Sequence, residues 1–201
     1  MKRKILIIAL MLFSTLGFSQ EIKTSFSNDS SSKSLSFGGY GGPLIEAPYI
    51  NNDWGLVIGG KGGVVINRKF AIGGIGKRLV SSNNFLGDNL NGNEEASLNL
   101  SYWAGGLFGE YFFKLENPLH ISIPINFMAG GIAVNDGNCE IDSSGIFFIE
   151  PGINLEFCIS KYFIPALNVS YRQVLGSSLV NLSNQDVSGV NIGLLLKFGK
   201  F

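Results

Sequence analysis

Histidine is almost missing from this chain, cysteine is scarce, and charge is sparse and balanced. His120 is the only histidine, and Cys139 and Cys158 are the two cysteines. Lys and Arg total 15 and Asp and Glu total 15, so the formal net charge is zero. A chain without a basic excess lacks the face that nucleic acid requires. It also lacks the polybasic patch that holds a peripheral protein to a membrane surface. No His/Cys/Asp/Glu group has metal-ligand spacing, and no phosphate-cradling loop is present. The Gly-x-Gly patterns sit between strands with no helix behind them. The sequence therefore predicts no cofactor, no metal and no nucleic-acid partner. After residue 20 there is also no long uncharged apolar run, so no helix of the ~20 apolar residues needed to span a bilayer is expected.

What is present points to strands. Mean hydropathy is +0.25, high for a chain without a helical span, which fits apolar residues that alternate with polar ones. The 27 glycines are poor helix formers. The 16 phenylalanines favour strands and membrane interfaces.

The ends carry the clearest signals. Lys2, Arg3 and Lys4 precede the apolar stretch Ile5–Phe13, and Gly17 and Ser19 offer small residues for cleavage. Residues 1–20 read as a signal peptide. Glu21–Ser34 is polar and serine-rich and reads as a flexible periplasmic leader. At the other end, Val190, Ile192, Leu194, Leu196 and Phe198 fall on one face of a strand. Asn191, Gly193, Lys197 and Gly199 fall on the other, and Phe201 follows. A terminal apolar strand suits a closed barrel, whose last strand pairs with its first and removes both edges.

Between these ends the sequence predicts eight strands: Leu35–Leu44, Trp54–Ile66, Phe70–Val80, Leu98–Lys114, Leu119–Asn135, Gly145–Ile159, Tyr162–Leu175 and Val187–Phe201. Tight turns at Asn67-Arg68-Lys69, Leu115–Pro118 and Ser160-Lys161 alternate with longer polar loops at Ile45–Asp53, Ser81–Ser97, Asp136–Ser144 and Gly176–Asp186. Short turns at one rim and long loops at the other define an all-β fold, an antiparallel up-and-down transmembrane barrel over residues 35–201. Repeated diglycines, such as Gly62-Gly63 and Gly73-Gly74, read as kinks that let a narrow barrel coil. Trp54, Trp103, Tyr111, Phe112, Phe113, Tyr162 and Phe163 read as two interfacial girdles.

The signal ending Gly17-Phe18-Ser19-Gln20, the glycine-rich hairpins, the segment Pro118-Leu119-His120-Ile121-Ser122-Ile123-Pro124 and the terminal Phe201 resemble the small outer-membrane barrels of the OmpA/OmpX-like superfamily. The likeness is greatest to the "porin family" type of Bacteroidota. The resemblance implies a bacterial outer-membrane protein with a structural or surface-interaction role. Its partners would be outer-membrane lipid and lipopolysaccharide, the barrel-assembly machinery reached through the strand ending in Phe201, and an extracellular partner reached through the long loops.

Lys61, Glu150, Glu156, Arg172 and Lys197 all fall on lumen faces. An eight-stranded interior is just wide enough for side chains to fill, so these read as a structural ion-pair network and not an ion path or a general diffusion pore. His120-Ile121-Ser122 places a base and a hydroxyl on one face. That spacing resembles barrel lipid A deacylases, a minor alternative because the pair lies beside the turn at Leu115–Pro118. No catalytic residue is assigned and no enzyme is expected. Cys139, in a long loop, and Cys158, at the far end of the next strand, are too far apart to bridge and are expected to be free thiols. The remaining alternative is a soluble exported β-barrel with apolar faces turned inward around a lipid or other apolar ligand.

Overall fold

The alternation becomes a ladder of antiparallel strands that closes on itself. The computed structural model describes residues 35–50, 53–81, 83–88, 95–115, 117–136, 139–176 and 184–201. The predicted signal peptide and leader lie outside the described residues. The strands are β1 (Phe37–Ile50), β2 (Asp53–Trp54), β3 (Val57–Ile66), β4 (Phe70–Leu79), β5 (Asn83–Asp88), β6 (Glu95–Phe113), β7 (Leu119–Asp136), β8 (Cys139–Phe157), β9 (Phe163–Gly176) and β10 (Gly189–Lys200). One helical turn, Asn184–Val187, precedes β10.

Eight of these strands form the wall. β1, β3, β4, β6, β7, β8, β9 and β10 pair in that order, each antiparallel to the next. β10 then pairs with β1 from Gly39↔Lys200 to Pro48↔Asn191, so the eight-stranded wall closes on itself. The two further strands decorate the rim remote from the start of β1. β2 folds back on β1 through Tyr49↔Trp54, and β5 pairs with the first residues of β6.

The long loops read from the sequence are in large part strand. β1 continues to Ile50, the segment 83–88 is a hairpin arm, and β7 and β8 run on to Asp136 and Cys139. Their Asn/Asp/Ser/Gly content reads as loop in sequence. In the fold the backbone groups still need partners, and extending an existing hairpin satisfies them. β6, β7 and β8 reach 19, 18 and 19 residues, nearly twice the ~9–11 that cross a bilayer. Cys139 therefore stands in a strand opposite Asp136, not in a loop.

The short turns lie at the near rim, with the start of β1 and the end of β10. In Ile66–Lys69 the two central residues, Asn67 and Arg68, have φ of 53° and 55°. Lys69 N–H returns to Ile66 C=O at 3.1 Å, a turn whose twist matches the flanking strands. Asn67 also takes the N–H of Ser36 on Oδ1 at 3.1 Å, which ties the entering chain to this turn.

Burial alternates around the wall. In β8, Phe147, Ile153, Leu155 and Phe157 are exposed outward while Phe148, Glu150, Asn154 and Glu156 are buried inward. In β10, Ile192, Leu194 and Phe198 point out while Asn191, Leu195 and Lys197 point in. Large aliphatic and aromatic side chains thus coat the outside. That arrangement is opposite to the inward apolar faces a soluble ligand carrier requires. The interior is mixed: Tyr40, Leu44, Phe108, Met128, Phe148 and Ile164 pack among its polar groups. Phe112 belongs to that interior and not to an outer girdle, because it is one step out of register with Tyr111 and Phe113.

Candidate functional site: the charged interior of the barrel

The structure places Lys61, Glu150, Glu156, Arg172 and Lys197 in the lumen, all at 6% exposure or less. It adds three charges not read from the sequence: Glu46, Lys77 and Glu110, equally buried. Glu46 sits in the part of β1 read as loop. Lys77 sits in β4, whose glycines give both faces little contrast. Glu110 lies between inward Phe108 and Phe112, so its strand shows aromatic residues on both faces. The one available signal was strict alternation carried through the glycines.

These eight side chains form two sets, each with two cations and two anions. In the set toward the near rim, Lys197 Nζ donates to Glu110 Oε1 at 2.6 Å and to Glu156 Oε1 at 2.7 Å. Lys61 Nζ stands 3.6 Å from Glu110 Oε2. Tyr40 Oη hydrogen-bonds Glu110, and Asn154 Nδ2 donates to Glu110 Oε1 at 2.7 Å. The ring of Phe108 lies 4.1 Å below the Lys61 ammonium. Those of Tyr40 and Phe112 flank Lys197 at 4.6 and 4.8 Å. An ammonium without full hydration gains from the negative faces of such rings.

In the set toward the far rim, Lys77 Nζ donates to Glu46 Oε2 at 2.7 Å and to both oxygens of Glu150 at 2.9 and 2.8 Å. Ser170 Oγ donates to Glu150 at 3.0 Å. Arg172 completes this set without a direct ion pair among the described residues. Its Nε donates to the carbonyl of Val187 at 2.9 Å, tying the wall to the segment that enters β10. Its guanidinium lies 5.7 Å from the Tyr102 ring.

Chemically this interior is charge-compensated. A carboxylate removed from water is tolerated when its lone pairs are met by cations and donors. Glu110, Glu150 and Glu156 each have several.

His120 and Ser122 do not form a nucleophile–base pair. Ser122 Oγ donates to Glu110 Oε1 at 2.6 Å and also hydrogen-bonds Glu156. It is fully buried, out of reach of a lipid on the outer wall. His120 Nε2 faces Glu156 Oε2 at 3.1 Å, and Nδ1 faces the Asn117 carbonyl at 3.3 Å. The carboxylate beside this histidine comes from β8, 36 residues on. Glu116, the nearest in sequence, lies outside the described residues.

Cys158, just past β8, carries a free thiol 3.9 Å from His120 Nδ1. The side chain of Cys139 lies outside the described residues. At the opposite end of the same strand, its backbone is roughly 60 Å away. Partial burial pushes the Cys158 thiol up, and the Glu156 charge adds to this against the opposing effect of Arg68. A raised thiol has less nucleophilic thiolate at neutral pH. Alkylation of a Cys139→Ser variant by iodoacetamide is therefore expected to be slower at pH 7.5 than that of a free cysteine peptide, and to keep rising above pH 9. A plateau below pH 8 would contradict this environment.

The architecture is similar to solved outer-membrane β-barrels. Neisserial surface protein A matches 84% of this chain and 100% of its own, with a TM-score of 0.56 and 14% identity. The N-terminal β-barrel domain of Pseudomonas aeruginosa OprF covers 81% of this chain and 96% of its own, with a TM-score of 0.51 and 11% identity. At such identities the likeness is one of fold. This chain is a closed eight-stranded antiparallel β-barrel, the fold of those solved structures. No protein-family profile matches it, and no curated protein matches it in sequence.

Proposed function

We propose that this chain is an integral outer-membrane barrel with a structural or surface-interaction role, whose interior is a plug and not a conduit. The observation that carries this reading is the pairing of an apolar outer wall with a lumen filled by two neutral sets of buried charges. The fold shared with solved outer-membrane barrels supports the location, as does the signal-like segment Lys2–Ser19. Within that class, the Bacteroidota porin-family resemblance rests on the residues quoted for it above.

The reading carries no enzymatic role, supported by the sealed position of Ser122. Lipid and lipopolysaccharide would bathe the wall, the assembly machinery would take the strand ending in Phe201, and β5 with the far ends of β6–β8 would face outside.

Two measurements test the proposal. Protein extracted in mild detergent should come from the outer-membrane fraction and change gel mobility on boiling. In planar bilayers it should give no steady ion conductance. Stable ohmic steps that scale with protein would overturn the plug, and recovery in the soluble periplasmic fraction would overturn the location.

A further inference from the structure

The outer wall is almost free of charge. Among the described strand side chains, the charged residues facing outward are Arg78 in β4 and Lys200 at the near-rim end of β10. Arg78 is exposed and makes no ion pair among the described residues. An unpaired guanidinium on a lipid-facing wall is unfavourable at the bilayer midplane and close to neutral at an interface.

The register locates it. Phe70, in the near-rim aromatic group with Tyr111 and Phe113, lies eight residues before Arg78 on the same strand. At ~3.3 Å per residue and ~40° tilt this is roughly 20 Å along the barrel axis, about the height of the apolar band. Arg78 thus stands at headgroup level of the far leaflet.

Its neighbours fit that depth. One row of outward positions runs Ile45↔Ile58, Ile58↔Arg78, Arg78↔Trp103 and Trp103↔Gly131. Trp103 is 63% exposed, an aromatic beside a cation at the same level. On one side of Arg78 an apolar groove is lined by Pro43, Ile45, Ile58 and Gly76. On the other side of Trp103, toward the far rim, lie Ser101 and Ser143.

We propose that Arg78 and Trp103 form a binding site for a phosphate-bearing lipid of the outer leaflet. The guanidinium takes the headgroup phosphate, the indole packs against the headgroup, and an acyl chain lies along the Pro43–Ile45–Ile58 groove. Charge complementarity selects this occupant: a guanidinium binds phosphate through a planar fork, and a groove directly toward the membrane interior suits a hydrocarbon chain. The proposal rests on the outer-membrane reading above.

The test uses the full barrel in neutral detergent with Trp54 replaced by Phe, so that fluorescence reports Trp103. The probes are diphosphoryl lipid A and the same lipid A after enzymatic removal of its phosphates. The phosphorylated form should bind more tightly, and Arg78→Gln should reduce that preference about fivefold, the worth of one cation at a membrane surface. Arg78→Lys should keep most of it. Equal affinity for the two probes, or an unchanged preference in Arg78→Gln, would overturn the site. Loss of the preference in millimolar inorganic phosphate would also overturn it, by showing a free-anion site. Gel mobility with and without boiling is recorded for each variant. A folded barrel recovered from the outer membrane that shows no preference refutes the site alone, whereas a soluble protein refutes the location as well.

Discussion

Replacing Lys197 with Met will destabilise the barrel by about 3–5 kcal/mol, the loss found when one partner of a buried ion pair is removed. Lys197 donates to Glu110 at 2.6 Å and Glu156 at 2.7 Å. Without it, Lys61, 3.6 Å from Glu110, is the one lysine left beside the two carboxylates, and Glu156 keeps His120 and Ser122 as its hydrogen-bond partners. The methionine fills most of the volume, so the loss reports charge and not a cavity. The second half of the prediction separates this from simple damage. Glu156→Gln in the Lys197→Met background restores neutrality to the near-rim set. The double variant should be more stable than Lys197→Met alone, with a coupling of about 2 kcal/mol or more. Urea unfolding in phospholipid vesicles, followed by the boiled and unboiled gel bands, measures each term. Additive losses would show that the two groups act independently and that the network is not a unit.

How far this interior could be read from the sequence depended on contrast between faces. Over Ile149–Phe157 of β8 and Leu167–Arg172 of β9 apolar and polar or small residues alternate without a break, and in β10 Leu195 alone interrupts the pattern, so Glu150, Glu156, Arg172 and Lys197 could be assigned to one face from the pattern. The same pattern made strand closure legible, since β10 carries an apolar face from Val190 to Phe198 opposite one that is polar or small apart from Leu195. In β4, Gly73, Gly74 and Gly76 have no side chain to show which face is which, and Lys77 could not be placed. In β6 the inward Phe108 and Phe112 and the outward Tyr111 and Phe113 are all aromatic. Hydrophobicity there carries no sign, which hid Glu110 and misassigned Phe112. Glu46 was hidden differently: Glu-Ala-Pro before two asparagines reads as loop, yet β1 keeps pairing with β10 through Pro48↔Asn191. The hairpin extensions at the far rim were illegible for a related reason. Backbone pairing holds them together, and polar composition is silent about pairing.

Gly106→Ala should fail to reach the heat-modifiable folded form, or lose several kcal/mol where it does, while Gly109→Ala should stay within about 0.5 kcal/mol of the parent. Both glycines lie in β6, three residues apart, so propensity predicts the same mild gain for each. The surroundings differ. A Cβ on Gly106 would press on the carbonyl of Phe127 and stand 2.8 Å from the Cα of Met128, both backbone of the paired strand β7. A Cβ on Gly109 would meet nothing within 4 Å. Backbone in a closed barrel cannot give way locally, because moving β7 shifts its ladder with β8 as well. The same crossing recurs where Gly130 of β7 meets the backbone of Trp103 and Ala104. In each diglycine one residue is thus a point where neighbouring strands approach too closely for a side chain, and the narrow barrel depends on that approach. Equal tolerance of alanine at both positions would refute this and return the diglycines to flexible spacers.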